Sequence, residues 1–266
     1  MTGALQDDMA LLLSAVEAGA KIAREFYARG ARVWDKAEGK GPVTEADLAV
    51  NALLKERLQG ARPDYGWLSE ETVDDTGRLT AKKTWIVDPI DGTRAFIRGR
   101  PQWTVCGALT ENGVPVAGAV VNPLMEEVFA ASLGGGAHLN GRPIHVSACT
   151  VLEHARLMGP KDFYTHPSWP ERWPASIQLD NPNSIAYRLC LVASGARDGS
   201  VRVFSCHEWD VAAADLIVRE AGGIMTGLDG EMLIYNQPSP ILRGYVAAGP
   251  GLYSELKRRV DQRSRA

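Results

Sequence analysis

Two aspartates three positions apart, with a proline between them and a glycine directly after, constrain this chain more than any other feature. Asp88 and Asp91 follow the apolar, strand-like run Trp85–Val87, and Gly92 and Thr93 come next. Proline fixes φ and glycine permits a tight turn, so both carboxylates are predicted on a stiff loop at a strand end. Carboxylates there stabilise a fold poorly and suit Mg²⁺, which is bound through carboxylates, waters and substrate phosphate. The segment predicts metal-assisted phosphoryl chemistry.

Length and charge limit the classes of protein to which this chain can belong. Its 266 residues allow one large domain or two packed subdomains, and 45% hydrophobic with 23% charged residues is ordinary globular composition. The net charge of −3 argues against an extended nucleic-acid partner but allows a small basic pocket. Four widely spaced cysteines without a C-x-x-C pair argue against a zinc ribbon and favour buried thiols in a reducing compartment.

The N-terminal segment has no basic stretch before an apolar core, and no run approaches 18 apolar residues. The sequence therefore predicts neither a signal peptide nor a membrane span. A cytoplasmic protein without a membrane partner is expected.

Alternating helical and strand-like patterns predict a single mixed α/β domain over residues 1–266, with a metal-loop half at 1–145 and a substrate-pocket half at 146–266. The polar stretch Asp35–Pro42 is expected to be a loop or hairpin. The predicted helices cover Met9–Tyr27, Thr44 to about Leu58 (with Leu48 among its apolar members), Ala186–Ala193, Val211–Ala221 and Gly251–Val260. The predicted strands cover Trp103–Leu109, Val114–Val121, Glu127–Ala131, Gly199–Phe204 and Tyr245–Ala248.

Four acidic residues favour metal binding when they are considered together: Glu70, Asp88, Asp91 and Asp210. Each one alone has a structural interpretation, with Asp210 as a helix N-cap and the others in turns. Thr44 and Asp47 are likewise similar to a helix capping box, with aspartate in place of glutamate or glutamine. Both interpretations of Asp47, as a cap and as a catalytic acid, can hold together.

The order and spacing of four blocks resemble the signature blocks of the inositol monophosphatase superfamily. They are Pro42–Asp47, Glu70–Glu71, Asp88–Thr93, and Trp209–Ala213 with Glu220–Gly223. The resemblance runs from about residue 9 to residue 260. It implies a layered α-β-α-β-α sandwich of the inositol monophosphatase and sugar phosphatase type, commonly a homodimer. It also implies a Mg²⁺-dependent, Li⁺-sensitive hydrolase of a small phosphorylated substrate, with Ca²⁺ competing against Mg²⁺.

Position by position, the resemblance implies two or three Mg²⁺ ions. The first ion is assigned to Glu70, Asp88, the Ile90 carbonyl and Thr93. The second is assigned to Asp88, Asp91 and Asp210, and a third, weaker ion to Glu70 through water.

The resemblance also implies residues that act on the attacking water. Asp47 and Thr93 would orient this water, and Glu70 is included among the catalytic residues. Lys36, or Lys40 in its place, lies where the family often has a lysine on a mobile loop near the metals.

The substrate is the least determined part of the prediction. The resemblance implies contacts with phosphate or leaving group from Asp91, Gly92, Thr93, Arg94, Asn183, Ser184, Arg188, Arg202 and Asp210. An inositol-1-phosphatase-like enzyme is the first interpretation, although inositol-preferring members usually carry a glutamate near the position of Val203. A 3′(2′),5′-bisphosphate nucleotidase is the second, on Glu208–Asp210, and a histidinol-phosphate phosphatase the third, on Thr93–Phe96. A non-catalytic regulatory binding protein is the alternative from another class, and the intact acidic set argues against it.

Overall fold

A computed structural model describes residues 3–36 and 41–265 of the chain. Helices and strands alternate along these residues, as the sequence patterns predict. The α-helices are α1 (Gly3–Arg29), α2 (Glu45–Ala61), α3 (Thr93–Ile97), α4 (Lys161–Thr165), α5 (Ile185–Ala193), α6 (Glu208–Glu220) and α7 (Pro250–Arg265). A short 3₁₀ helix covers Thr76–Thr80.

The first of two large sheets has seven strands in the order β3-β4-β5-β6-β7-β8-β9. Its strands are antiparallel except for the parallel pair β3 and β4. They are β3 (Gly66–Ser69), β4 (Lys83–Asp91), β5 (Thr104–Glu111), β6 (Val114–Asn122), β7 (Glu127–Ser132), β8 (Gly136–Leu139) and β9 (Arg142–Pro143).

The second large sheet has five strands in the order β11-β10-β12-β16-β14. Its strands are β10 (Arg156–Met158), β11 (Gln178–Asp180), β12 (Gly199–Arg202), β14 (Ile224–Thr226) and β16 (Tyr245–Ala248). Two small antiparallel pairs join β1 (Val33–Asp35) with β2 (Pro42–Thr44), and β13 (Cys206–His207) with β15 (Ile241–Leu242).

The helices form three layers around the two sheets. Helices α1 and α2 pack on one face of the seven-stranded sheet, α5 and α6 lie between the two sheets, and α7 covers the outer face of the five-stranded sheet. This is the expected α-β-α-β-α order. Each of the three helical layers has its own buried apolar cluster, and the alternation of side chains along β4 shows how one strand contributes to two of them. Trp85 and Val87 face the α1–α2 layer while Ile86 faces the middle layer, so β4 is buried on both faces.

Most predicted elements are confirmed, with ends that differ by a few residues. The hairpin expected at Asp35–Pro42 is present as the pair β1 and β2, and residues 37–40, including Lys40, lie outside the described residues. Leu48, one of the apolar members of the predicted helix, is 45% exposed, whereas Leu54 and Leu58 of the same helix are buried. The four cysteines are free thiols, three of them buried. Within the described ranges, every helix is too short or too polar to cross a membrane.

Candidate metal centre

A β-bulge in β4 brings Asp88 and Asp91 to the same side of the sheet. Asp88 pairs with Cys106 and Asp91 pairs with Thr104, so three steps along β4 match two steps along β5. Side chains alternate along a strand, and residues three apart would otherwise point to opposite faces. The one extra residue in the bulge turns Asp91 to the same face of the sheet as Asp88. The prediction of a loop after the strand was wrong, because β4 continues through Asp91. The bulge, and not a loop, brings the two carboxylates together.

Gly92 ends β4 and turns the chain into α3. Its φ of +96° lies in the left-handed region. A Cβ there would lie 3.1 Å from both the Gln102 carbonyl oxygen and the Ser184 amide nitrogen, so a side chain would be strained and crowded. This glycine lets the 184 segment approach the aspartates closely.

Asp210 reaches the same place from α6. The helix begins at Glu208, so Asp210 is its third residue, and the N-cap interpretation of Asp210 was wrong. One carboxylate oxygen, Oδ2, accepts a hydrogen bond of 2.8 Å from the backbone N–H of His207. This bond fixes the side chain and leaves its second oxygen for the cluster.

The three aspartates form a compact acidic cluster, defined here as Asp88, Asp91 and Asp210. One oxygen from each lies within 4.8 Å of the others. Burial, reinforced by the neighbouring carboxylates, raises the pKa of Asp88 and of Asp210 well above the usual range. Burial also raises the pKa of Asp91 to about 6. Hard anionic oxygens held this close repel each other until a cation joins them, so the donor set fits a divalent metal ion.

Ser184 fixes the orientation of Asp91 through a hydrogen bond to one of its carboxylate oxygens. Its hydroxyl donates a 2.6 Å hydrogen bond to Asp91 Oδ2, which also accepts a 2.7 Å bond from the Ala186 amide. The same hydroxyl accepts the Tyr187 amide at 2.9 Å as the N-cap of α5. Ser184 is fully buried, so the structure places it against Asp91 and not on a surface open to substrate.

We expect Ser184→Ala to lower both stability and catalytic efficiency. The change removes a helix cap, which costs about 1 kcal/mol, and a donor that orients Asp91. Denaturant unfolding and kcat/KM should both be measured, with the exposed Ser254→Ala on α7 as the control. An unchanged kcat/KM would contradict a role for Ser184 in positioning Asp91.

Asp47 and Thr93 lie next to the Ile90 carbonyl. Asp47 Oδ2 accepts the Thr44 amide at 2.8 Å and the Thr44 hydroxyl at 2.5 Å, so the predicted capping box is confirmed. Asp47 Oδ1 lies 3.4 Å from the Thr93 hydroxyl, which also donates to the Ile90 carbonyl at 3.0 Å. Burial raises the pKa of Asp47 to about 6. One oxygen of Asp47 therefore caps α2 while the other faces Thr93.

Lys36 connects Glu70 with Glu71 beside the aspartates. Its ammonium nitrogen lies 2.7 Å from Glu70 Oε1 and 2.6 Å from Glu71 Oε1. Burial raises the pKa of Glu71 to about 7. Glu70 is close enough to contribute to the raised pKa of Asp88, after burial, although it lies outside the compact acidic cluster. Lys36 is thus an internal cation that balances part of the negative charge.

We expect Lys36→Met to destabilise the metal-free protein by about 1 kcal/mol, because two partly buried carboxylates lose their charged partner. The half-saturating Mg²⁺ concentration should fall, since the competing ammonium is gone. Calorimetric titration with Mg²⁺ and unfolding in metal-free buffer check both effects. The exposed Lys55→Met is the control, and weaker Mg²⁺ binding by the Lys36 variant would contradict this account.

The other residues predicted to bind substrate differ in how far they are buried and in their hydrogen-bond partners. Arg94 is exposed on α3 and makes no ion pair with any described residue, and Asn183 is half-buried before α5. Arg188 donates to the Pro182 carbonyl at 2.6 Å, and Arg202 donates to the Ser205 carbonyl at 2.7 Å. Burial raises the pKa of Asp91, and the positive charge of Arg188 partly offsets that rise. The positive charge of Arg202 has the same effect on the pKa of Asp210. They supply positive charge on the α5 and β12 side.

Two further residues support the site, although the sequence assigned neither of them a role in it. Glu71 shares Lys36 with Glu70, as its place in the Glu-Glu pair could have indicated. Glu208 is fully buried at the start of α6 and accepts the backbone amides of Asn236 at 2.6 Å and Gln237 at 2.9 Å. It anchors the helix that carries Asp210, and no local pattern signals a partner 28 residues away.

Comparisons with known proteins agree with this geometry. A model of the inositol monophosphatase family matches residues 6–262. The chain is 36% identical over 239 residues to a histidinol-phosphatase of Mycobacterium tuberculosis, covering 84% of this chain and 88% of that protein. It is 32% identical over 258 residues to an inositol-1-monophosphatase of Rhizobium meliloti, covering 93% and 92%. A solved IMPase structure from Thermotoga maritima matches with a TM-score of 0.81 at 26% identity, over 99% of each chain.

Proposed function

Because the chain belongs to the inositol monophosphatase family, we propose that it hydrolyses a small phosphorylated metabolite with Mg²⁺ held at the compact acidic cluster. Members of this family are phosphatases that act on phosphate monoesters, and the chain is an enzyme of that class. The observation that supports the metal most directly is the convergence of three aspartates, two buried and one half-buried, within 4.8 Å. Without a cation, this arrangement concentrates negative charge at low dielectric and has no structural benefit.

The residues that would hold the ions are the three cluster aspartates together with nearby oxygen donors outside the cluster. Glu70, Asp88, the Ile90 carbonyl and Thr93 are proposed for the first Mg²⁺. Asp88, Asp91 and Asp210 are proposed for the second, and Glu70 for a third through water. Bound Mg²⁺ acidifies a coordinated water and neutralises charge on the phosphate oxygens.

The chain's own residues orient the water and hold its proton. Thr93 donates its proton to the Ile90 carbonyl, so its hydroxyl oxygen is free to accept a hydrogen bond from water. Asp47 Oδ1 lies beside this hydroxyl, and burial raises the pKa of Asp47 to about 6. A carboxyl with that pKa is able to hold a proton near neutral pH. We assign Asp47 and Thr93 to water positioning on this basis.

The substrate is proposed to be inositol 1-phosphate or a similar polyol monophosphate. Gly92 and Thr93 approach the phosphate, and Arg94, Asn183, Arg188 and Arg202 lie on the leaving-group side. Histidinol phosphate is the second candidate, supported by the 36% identity with the Mycobacterium tuberculosis histidinol-phosphatase. The Thr93-Arg94-Ala95-Phe96 sequence also favours it.

A substrate panel tests this proposal. It compares kcat/KM for inositol 1-phosphate, histidinol phosphate, 3′-phosphoadenosine 5′-phosphate and fructose 1,6-bisphosphate in Mg²⁺. The highest value is expected with inositol 1-phosphate. A clear preference for histidinol phosphate would replace the first candidate with the second. Hydrolysis of none of the four would contradict the proposed substrate class.

Sensitivity to Li⁺ is part of the same proposal, because the second metal position accepts a small hard cation. We expect LiCl to inhibit phosphate release at fixed Mg²⁺, with KCl at equal ionic strength as the control. Full activity in Li⁺ well above the Mg²⁺ concentration would contradict this assignment. Cytoplasmic location and assembly as a homodimer remain predictions, which cell fractionation and sedimentation would test.

A further inference from the structure

Arg78 is a buried arginine in the short 3₁₀ helix after β3, and every nitrogen of its guanidinium group has a partner. Nε and one terminal nitrogen donate to the two carboxylate oxygens of Asp74, at 2.6 and 2.8 Å. The terminal nitrogens also donate to the Asn236 side-chain oxygen at 2.7 Å and to the Gln237 carbonyl at 3.0 Å. One side chain therefore joins the segment after β3 to a segment 158 positions further along the chain.

Asn236 bonds to Arg78 in both directions. Its side-chain oxygen accepts the guanidinium, and its side-chain nitrogen donates to the Arg78 carbonyl at 3.1 Å. The φ of Asn236 is +58°, in the left-handed region that asparagine adopts more readily than most residues. In this conformation the consecutive backbone N–H groups of Asn236 and Gln237 both donate to one carboxylate, that of Glu208.

Glu208 is the first residue of α6, and the segment from Asn236 to Pro240 holds it from two sides. Its carboxylate accepts the two backbone amides, and its own N–H donates to the Pro240 carbonyl at 2.9 Å. Burial raises the pKa of Glu208, while these amides and the positive charge of Arg78 partly offset that rise. The segment thus fixes the start of α6, and Arg78 fixes the segment.

The first turn of α6 also carries Asp210, two residues after Glu208. Asp210 Oδ2 accepts the His207 amide at 2.8 Å, so this side chain follows the backbone of the turn. Its other oxygen has to meet oxygens of Asp88 and Asp91 within 4.8 Å. A displacement of the turn would move one carboxylate of the compact acidic cluster away from the other two.

Arg78 also packs closely on β3, the strand that leads to Glu70. A Cβ on Gly66 would lie 3.0 Å from the Arg78 Cβ and 3.1 Å from its Cα. Strand β3 ends at Ser69, and Glu70 comes next. The contacts of Arg78 therefore connect the segment that carries Glu70 with the helix that carries Asp210. The connection is named the Arg78 bridge, and its members are Arg78, Asn236, Gln237 and Glu208.

We propose that Arg78 is a positioning residue for the metal centre. Through the Asn236–Gln237 segment and Glu208, it holds the first turn of α6 where Asp210 can reach the other two aspartates. Its own guanidinium is fully engaged, so it acts through the bridge and not on the ions or the substrate. This role rests on the proposed function, because it presupposes a metal ion at the cluster. Removing an outer partner of metal ligands usually weakens metal binding about tenfold or more.

Two variants break the bridge at different points. Arg78→Met removes the guanidinium and leaves the Asn236 and Gln237 oxygens without it. Asn236→Gly removes only the side-chain link, because glycine adopts a positive φ readily and keeps the backbone amide that Glu208 accepts. If Arg78→Met does not fold, Asn236→Gly decides the question.

The chain offers a matched control for each variant. Arg259 on α7 is also buried and donates to two carboxylates, of Glu171 and Glu255, and to the Arg172 carbonyl. Arg259→Met therefore removes a comparable arginine from another part of the fold. Asn112 has a φ of +52° in the turn between β5 and β6, so Asn112→Gly is the control for the second variant.

Amide hydrogen exchange of the metal-free protein is the first readout, and it requires neither metal nor substrate. We expect the amides of His207 and Glu208 to exchange about tenfold faster or more in both bridge variants, because the start of α6 opens more often. Arg259→Met and Asn112→Gly should leave the exchange of these two amides unchanged, even where they lower the melting temperature.

Calorimetric titration with Mg²⁺ is the second readout. The Kd should rise about tenfold in Arg78→Met and less in Asn236→Gly, while both controls bind as the wild type does. Arg78→Lys should lie between Arg78→Met and the wild type, since lysine keeps the charge but lacks the planar fork of donors. A purely structural role for Arg78 would lower thermal stability and leave both readouts unchanged well below the melting temperature.

Unchanged exchange of the His207 and Glu208 amides in both bridge variants would overturn the inference. A Mg²⁺ Kd equal to that of the wild type in both would also overturn it, as would an equal rise in Arg259→Met. A wild type that binds no Mg²⁺ would instead contradict the proposed function. The exchange readout would then still decide whether Arg78 holds the first turn of α6.

Discussion

The Asp91→Asn variant is expected to lose about 10³-fold or more in Mg²⁺-dependent kcat/KM, equivalent to about 4 kcal/mol of transition-state stabilisation. The structure indicates that this substitution preserves the local hydrogen bonds. Asp91 Oδ2 accepts the Ser184 hydroxyl and the Ala186 amide, and the asparagine oxygen can keep both bonds. The amide nitrogen then replaces the other carboxylate oxygen, which removes a metal ligand and adds a donor where a cation must bind.

The measurement is steady-state phosphate release from the best substrate of the panel, over a range of Mg²⁺ concentrations. Asp64→Asn is the matched control, because Asp64 is exposed and should keep wild-type activity. A loss that excess Mg²⁺ fully restores would indicate weaker metal affinity with intact chemistry. Equal kcat/KM for Asp91→Asn and the wild type would contradict the assignment of Asp91.

The second large effect concerns stability. We expect Asp88→Asn to stabilise the metal-free protein and to abolish its stabilisation by Mg²⁺. Asp88 is buried, and the charges of Glu70, Asp91 and Asp210 reinforce the burial that raises its pKa. Asparagine keeps an oxygen for the 3.0 Å bond from the Ile90 amide but carries no charge. The variant therefore loses repulsion without losing its local hydrogen bond.

The sign of the pH dependence follows from the raised pKa values. A carboxyl whose folded pKa lies above its unfolded value binds more protons when folded, so folding stability falls as pH rises between the two values. For Asp91 this interval runs from the ordinary pKa of 3.8 to about 6. The metal-free wild type should therefore lose stability across this range, and Asp88→Asn should lose less.

Thermal unfolding with and without Mg²⁺ checks both parts of the prediction. Mg²⁺ at about 100 times its Kd should stabilise the wild type by about 2.7 kcal/mol, which corresponds to roughly 5–10 °C in Tm for a chain of this size. Asp88→Asn should show almost no Mg²⁺-dependent shift, and Asp64→Asn should shift as the wild type does. A metal-free Asp88→Asn protein less stable than the wild type would contradict the picture of uncompensated repulsion.

Sequence patterns were sufficient for a mixed α/β domain and most of its long elements, because α1 and α6 have helical periodicity and β4 to β7 are apolar runs bounded by turn residues. The layered order of helices and sheets came from the resemblance to the inositol monophosphatase family. Strands of three residues, such as β10 and β11, are too short to show a period, so the middle of the second half could not be assigned. The buried cluster of aromatic rings at Tyr164, Trp169 and Trp173 was missed for the same reason. Its rings come from a segment without periodicity, and only tertiary packing brings them together.

Prediction of the metal site from the sequence was limited in a different way. The spacing of Asp88 and Asp91 suggested metal binding, but their common orientation depends on a bulge in β4, and Pro89 was interpreted as part of a loop. The role of Ser184 behind Asp91 depends on a contact between residues 93 positions apart. The sequence and the family resemblance therefore named the three aspartates that the structure brings together. The contacts that orient each of them depend on the packing of distant elements.

The central claim is that the compact acidic cluster holds the metal on which phosphate ester hydrolysis depends. The most direct test measures phosphate release from inositol 1-phosphate by the wild type, first stripped of metal with EDTA and then titrated with Mg²⁺. We predict no significant turnover in the stripped enzyme and a saturable return of activity on adding Mg²⁺. An equal rate of phosphate release with and without the metal would contradict the claim.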